Sequence, residues 1–64
     1  MRSYRVDLFG VGGEILTAEH IENPNDIAAI ATARSIFNSR RHYGSIEVWN
    51  QWRLVYSDLR SRTS

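Results

Sequence analysis

Asn23-Pro24-Asn25-Asp26-Ile27-Ala28-Ala29-Ile30-Ala31-Thr32-Ala33-Arg34 is the stretch that decides the fold. It reads as a helix start. Asn23 serves as the cap, Pro24 takes the first helical position where a missing N–H costs nothing, and Asp26 faces the positive end of the dipole. The alanines that follow have the highest helix propensity of any residue. At 100° per residue, Ile30, Ala33 and Phe37 fall on one stripe with Ile27 and Ile36 at its edges, so these five are the helix's expected share of a core. The helix is expected to fade between Asn38 and Arg41, where Arg40, Arg41 and His42 stand near open carbonyls and a negative dipole end.

On the N-terminal side, Tyr4, Val6 and Leu8 alternate with Arg5 and Asp7, the period-two pattern of a strand with one buried face. That strand runs over about 3–9, and its partner over about 14–21. Between them Gly10-Val11-Gly12-Gly13 supplies the backbone freedom of a tight turn. On the C-terminal side, Gly44 lets the chain turn into strands over about 45–49 and 52–56, joined around Asn50-Gln51. A two-residue loop there sets Trp49 opposite Trp52. A three-residue loop puts Ile46, Val48, Trp52 and Leu54 on one face and Glu47 opposite Arg53, and its consistent apolar face and opposite charges favour it.

The order is therefore strand, strand, helix, strand, strand. The fold class expected is α+β, a four-stranded antiparallel sheet (ββαββ) with one helix packed on one face. A single hairpin is marginal in water, so the helix has to hold two of them together. One domain spanning 1–57 is expected, with 58–64 as a frayed tail.

With 64 residues, 42% of them hydrophobic, the chain can build one thin core and no second one. Cysteine is absent, which excludes disulfides, thiolate metal sites and a cysteine nucleophile. No apolar run approaches the roughly 20 residues of a membrane span, and the N-terminal residues lack the apolar core of a secretion signal, so a cytoplasmic location is expected. Net charge is +1, but unevenly spread. Arg2 and Arg5 stand against Asp7, Glu14, Glu19, Glu22 and Asp26, giving −3 through Asp26; six arginines from Arg34 onward against Glu47 and Asp58 give +4. Such asymmetry points toward an anionic partner or head-to-tail self-association.

The pattern Tyr4, Val6 and Leu8, a glycine turn, Asp26 with Ala29, Ala33 and Arg34, then Glu47-Val48-Trp49 followed by Arg53 and Val55, resembles a group of short uncharacterised alphaproteobacterial proteins. The likeness covers most of the chain, and its motifs are structural ones that carry no activity. Gln51 stands where that group has a glycine closing the second hairpin. The hairpin followed by Asp26-x-x-Ala29 is also similar to the first half of HicB-type antitoxins. That all eight basic residues are arginine fits a GC-rich bacterial genome.

Little in the chain suggests chemistry. A phosphate-cradling glycine loop leads from a strand into a helix, whereas Gly10–Gly13 leads into a second strand and reads as a hairpin turn. His20 and His42 have no ligand at metal spacing, and Glu19, Glu22 and Asp26 are accounted for by the helix dipole. Neither Thr17 with His20 nor Ser39 with His42 sits in a nucleophile motif. No catalytic residue, cofactor or metal is expected. Two groups remain. Arg34, Arg40 and Arg41, extended by His42, Arg60 and Arg62, form a candidate anion-binding cluster. Trp49, Trp52 and Tyr43 form a candidate interface, because a protein this small has limited means of covering both indoles. The expected function is a non-catalytic protein-interaction or regulatory module that associates with a partner or with itself; the alternative is nucleic-acid binding through the arginines at the helix C-terminus.

Overall fold

The computed structural model describes residues 1–60. Five elements follow one another: β1 (Arg2–Phe9), β2 (Ile15–Asn23), α1 (Asp26–Ser39), β3 (Ser45–Asn50) and β4 (Arg53–Leu59). The strands form one antiparallel sheet in the order β2-β1-β3-β4, with α1 across one face, as the α+β reading expected. The two hairpins meet along β1 and β3, where Val6 pairs with Val48 and Leu8 with Ile46. These four side chains, with Tyr4, form the sheet half of the core and have almost no solvent exposure.

The helix half is Ala29, Ala33 and Phe37, one residue every fourth, with Ile36 at the rim. Three corrections to the expected stripe follow. Ile27 is 80% exposed, Ile30 is only half-buried and outside the core cluster, and Ala29, which the stripe omitted, is fully buried. The sheet surface beneath is already filled by large side chains, so the helix settles on its alanines, with Ile36 at the rim and Ile27 turned outward.

The helix also begins later than expected. Asn25, not Asn23, is the cap: its backbone is extended (φ −158°, ψ 176°) and its Oδ1 accepts from the Ala28 amide at 2.9 Å. Asn23 is instead the last residue of β2, opposite Arg2, and its side-chain amide donates to Thr32 Oγ1 at 3.0 Å. Pro24, between them, biases the residue before it toward extended backbone and so keeps Asn23 in the strand.

The second hairpin departs from both expected registers. Its loop is Gln51-Trp52, closed by Asn50 opposite Arg53; Trp49 then faces Leu54, a bulge sets Val55 apart, and Glu47 meets Ser57 rather than Arg53. Gln51 adopts φ 58°, the positive value required at the first position of a tight type II′ loop. The bulge restores the inward face after the loop, so Tyr56 returns beside Val48.

β4 also outlasts its expected end at Tyr56 and the expected domain end at 57. It runs to Leu59, and Arg60 folds back on the helix C-terminus. Its Nη2 donates to the carbonyls of Phe37 (2.7 Å) and Arg40 (3.4 Å), its Nε to that of Tyr43 (2.9 Å), and its guanidinium lies 4.2 Å from the Phe37 ring centre. The last turn of α1 contains no basic residue. The carbonyls that Arg40, Arg41 and His42 were expected to serve are served by Arg60. The rest of the expected tail, 61–64 with Arg62, lies outside the described residues.

Gly44 is needed for a different reason than turning. Its amide donates to the Phe9 carbonyl and its own carbonyl accepts from Arg60, both at 2.8 Å, which presses it onto the first hairpin's turn. A Cβ there would lie 2.9 Å from Val11 Cα and 3.1 Å from the Gly10 oxygen. Gly44→Ala is therefore expected to cost about 1–3 kcal/mol in urea unfolding. Gly12→Ala, whose Cβ meets only the flexible Glu14 carboxylate, should change stability by less than about 0.5 kcal/mol. Arg60→Met, which strands three carbonyls, should cost about 1.5–3 kcal/mol, with hydrogen-exchange protection lost first in the last turn of α1.

Candidate interaction surface

The antiparallel register sorts the uncovered side of the sheet into rows. Leu59, Ser45, Phe9 and Ile15 lie across the four strands at one end; Ser57, Glu47, Asp7 and Ala18 follow; Leu54, Trp49, Arg5 and His20 come next. Ile15, Leu54 and Leu59 are exposed on this face, and Leu16 stands out beside them at the β2 irregularity.

The middle row sets two carboxylates, Asp7 and Glu47, directly opposite each other, an arrangement that is unfavourable unless each has a partner. Each has one. Arg5 Nε reaches both Asp7 oxygens, at 3.1 and 3.2 Å, and Trp49 Nε1 donates to Glu47 Oε1 at 3.0 Å. The Arg5 guanidinium also lies 5.7 Å from the Trp49 ring centre, so Arg5 and Trp49 roof the acidic pair. Asp7 is only 5% exposed although, among the described residues, no element covers this side. With Glu22 the face carries three carboxylates against one arginine.

The expected interface residues do not form one patch. Trp49 is half-buried in the third row. Trp52 projects from the hairpin loop and is 88% exposed. Tyr43 is buried at the opposite end of the molecule, its ring centre 4.1 Å from that of His42. Trp49 and Trp52 therefore share an end of the sheet, and Tyr43 belongs to the core.

The arginine cluster is likewise divided. Arg34 lies on the outer side of α1 in a shallow groove with Ala31, Ser35, Asn38 and Ser39. Arg40 is paired with Glu19 of β2. Arg41 borders a cleft beside the glycine turn. Three arginines within eight positions of sequence thus point to three sides of the molecule. Arg5 and Arg60, the two that do most in the structure, stand outside the expected cluster; their roles depend on strand order and on how far β4 extends.

The densest ionisable group is on the helix side. Tyr4, 1% exposed, donates from its hydroxyl to Asp26 Oδ1 at 2.7 Å; Arg53 Nη2 donates to Oδ2 at 2.9 Å, and Arg2 stands 3.8 Å from Oδ1. The Tyr4 hydrogen bond, then Arg53, holds the Asp26 carboxyl below the ordinary carboxylate value. Burial, then Asp26, pushes the Tyr4 hydroxyl above the ordinary tyrosine value. Glu19 likewise raises Arg40, and burial raises Tyr56. These shifts keep Asp26 and Arg40 charged and Tyr4 and Tyr56 neutral at pH 7, and the contacts that cause them tie β1 and β4 to the start of α1 and β2 to its end. Among the described residues no three His, Cys, Asp or Glu side chains gather at metal-binding distance, and no helix is long and apolar enough to cross a membrane.

Because the folded-state value of Asp26 is lowered, its contribution to stability is complete above the ordinary value of 3.8 and is lost as pH falls through the folded value. Asp26→Asn should therefore lower the urea midpoint at pH 7, and the gap to the parent chain should narrow progressively below about pH 4.

Compared with models of protein families, with curated proteins and with solved structures, the chain finds no match in any of the three.

Proposed function

We propose that the chain is a non-catalytic protein-interaction module that acts in the cytoplasm and docks a partner protein on the uncovered sheet face and the adjoining hairpin tip. One observation carries this reading: among the described residues the sheet is clothed by a helix on one side only, while the other side presents Phe9, Ile15 and Leu59 in one row and Leu54 beside Trp49 in another, with the Asp7 and Glu47 row between them and Trp52 at the hairpin tip. Exposed apolar side chains rimmed by polar ones are the usual composition of an interaction surface, and tryptophan is among its strongest anchors.

The charge of the face favours the kind of occupant. Stacking two copies face to face brings the Asp7 and Glu47 rows together, whereas a partner with apolar anchors and a basic group complements both the rim and the acidic centre. Dispersal of Arg34, Arg40 and Arg41 removes the continuous basic track that a nucleic-acid strand would need, which leaves the protein partner as the better-supported reading.

The test uses the full chain immobilised and exposed to extract of its native cell, beside a Leu54→Asp, Trp52→Ser double variant and an Arg34→Gln variant altered on the opposite side. The expected result is a protein retained by the parent and the Arg34→Gln chains and lost with the double variant, and a monomer in sedimentation of the isolated chain. Retention of the same proteins by all three, or of none by any, overturns the reading. A dimer dissociated by the double variant transfers the face to a second copy.

A further inference from the structure

Where the two hairpins meet, at the end of the sheet away from Trp52, lies a half-open cleft of about 600 Å³ bordered by Gly10, Val11, Arg41, Gly44, Leu59 and Arg60 among others. We propose that this cleft is a binding site for a small monocarboxylate with an aliphatic tail, held by Arg41 at its acid end and by Val11 and Leu59 along its chain.

Four observations lead there. The volume falls within the range of small-molecule sites, and the lining is mainly apolar with a few polar groups, the usual make-up of such sites. Among the described residues no carboxylate belongs to the lining, and both of its charged residues are arginines. Arg41 makes no hydrogen bond or ion pair with any other described residue, unlike Arg40 beside it, which Glu19 engages. Val11 and Leu59, on either side, are 68% and 76% exposed, large apolar side chains left in water with the cleft between them.

The frame is rigid enough to be preformed. Gly44 is bonded to Phe9 on one side and to Arg60 on the other, and it approaches the Val11 backbone too closely to admit even a methyl group. Arg60 is fixed by the carbonyls of Phe37, Arg40 and Tyr43, so its charge is largely spent on the helix end. Among the described residues that leaves Arg41 as the uncommitted cation of the lining, which suits a single negative charge better than a phosphate dianion. The Glu14 carboxylate folds against Gly10 and Gly12 close by without entering the lining; its charge opposes an incoming anion and limits affinity.

The experiment is a two-dimensional amide NMR titration of the full chain with octanoate, with octan-1-ol and with inorganic phosphate. Octanoate is expected to shift the amides of Gly10, Val11, Gly13, Gly44 and Ser45 saturably, with affinity on the order of millimolar. Octanol and phosphate should each bind at least about tenfold more weakly, since each lacks one half of the recognition. Arg41→Gln should cost about tenfold in octanoate affinity and leave octanol unchanged, Arg41→Lys should keep most of the affinity, and Glu14→Gln should raise it. The spectra themselves report whether each variant is folded, and Arg41 makes no bond that the fold needs. A peptide with a C-terminal leucine, tested as the free acid and as the amide, identifies the source: binding of the free acid alone at octanoate-like affinity makes a chain terminus the natural ligand, and no binding leaves a free acid. Absence of saturable shifts at these amides, equal binding of octanol and octanoate, or an Arg41→Gln variant that binds as the parent does, overturns the proposal.

Discussion

The hydrogen bond from the buried Tyr4 hydroxyl to Asp26 is the constraint on which the rest of the molecule depends. A helix that turns alanines to the sheet has little apolar area to bury, and Phe37 is its only large side chain fully inside. Packing alone positions such a helix loosely. Tyr4 belongs to β1, and Arg53, the second donor to Asp26, belongs to β4, so one carboxylate at the first helical residue is tied to the first strand and to the last. Arg60 does the equivalent at the other end, from just beyond β4 to the final carbonyls of α1. The helix is pinned at both ends by the hairpin that follows it, and the two ribbons become one sheet because each helps to hold the same rod.

The parts of this arrangement legible in the sequence are those governed by neighbours along the chain. The alternation of Tyr4, Val6 and Leu8, the glycine turn and the alanine-rich helix are each decided within a few residues, and each forms where expected apart from the helix start, which lies at Asp26 rather than Pro24. The misjudged parts are decided across the sheet. Asn23 and Asn25 are equally good caps by residue type; Asn25 wins because Asn23 is claimed by the ladder opposite Arg2. Ile27 is a reasonable core residue on the helical wheel, but which arc of a helix is buried depends on the surface below it. In the second hairpin the bulge at Val55 adds a residue that neither loop length anticipated, and it slides every later pair by one.

The arginines show the same limit for function. Arg34, Arg40 and Arg41 looked like one basic patch because they are near in sequence, yet the helix turns 100° per residue and ends between the first and the other two. A charge finds its role through whichever opposite charge or carbonyl the fold brings to it: Glu19 for Arg40, Asp7 for Arg5, Asp26 for Arg53. Arg60, near the end of the chain and counted as part of a loose tail, holds the helix, and nothing local to it in the sequence signals that duty. Of the three candidate interface residues, Trp52 alone is left largely uncovered, although it stands in the hairpin loop rather than on the strand face of Ile46 and Val48 where the favoured register put it.

A sheet with one bare side and two free edges is also an invitation to aggregate, and the residues at its centre bear on that danger as much as on recognition. Any flat apolar sheet face would stack on a copy of itself. Here the row through the middle carries Asp7 and Glu47, so self-stacking would press like charges together in a dry interface. The β4 edge is bent by its bulge and carries Arg53 and Asp58 near its ends, features that discourage strand addition. The same residues bear on the choice of occupant: Asp7 is already answered by Arg5, but Glu47 and Glu22 leave the face net negative, so a surface that brings a positive group covers it at lower cost than a neutral or acidic one. Specificity of this kind arises from what the face repels, and it requires no further core than 64 residues can build.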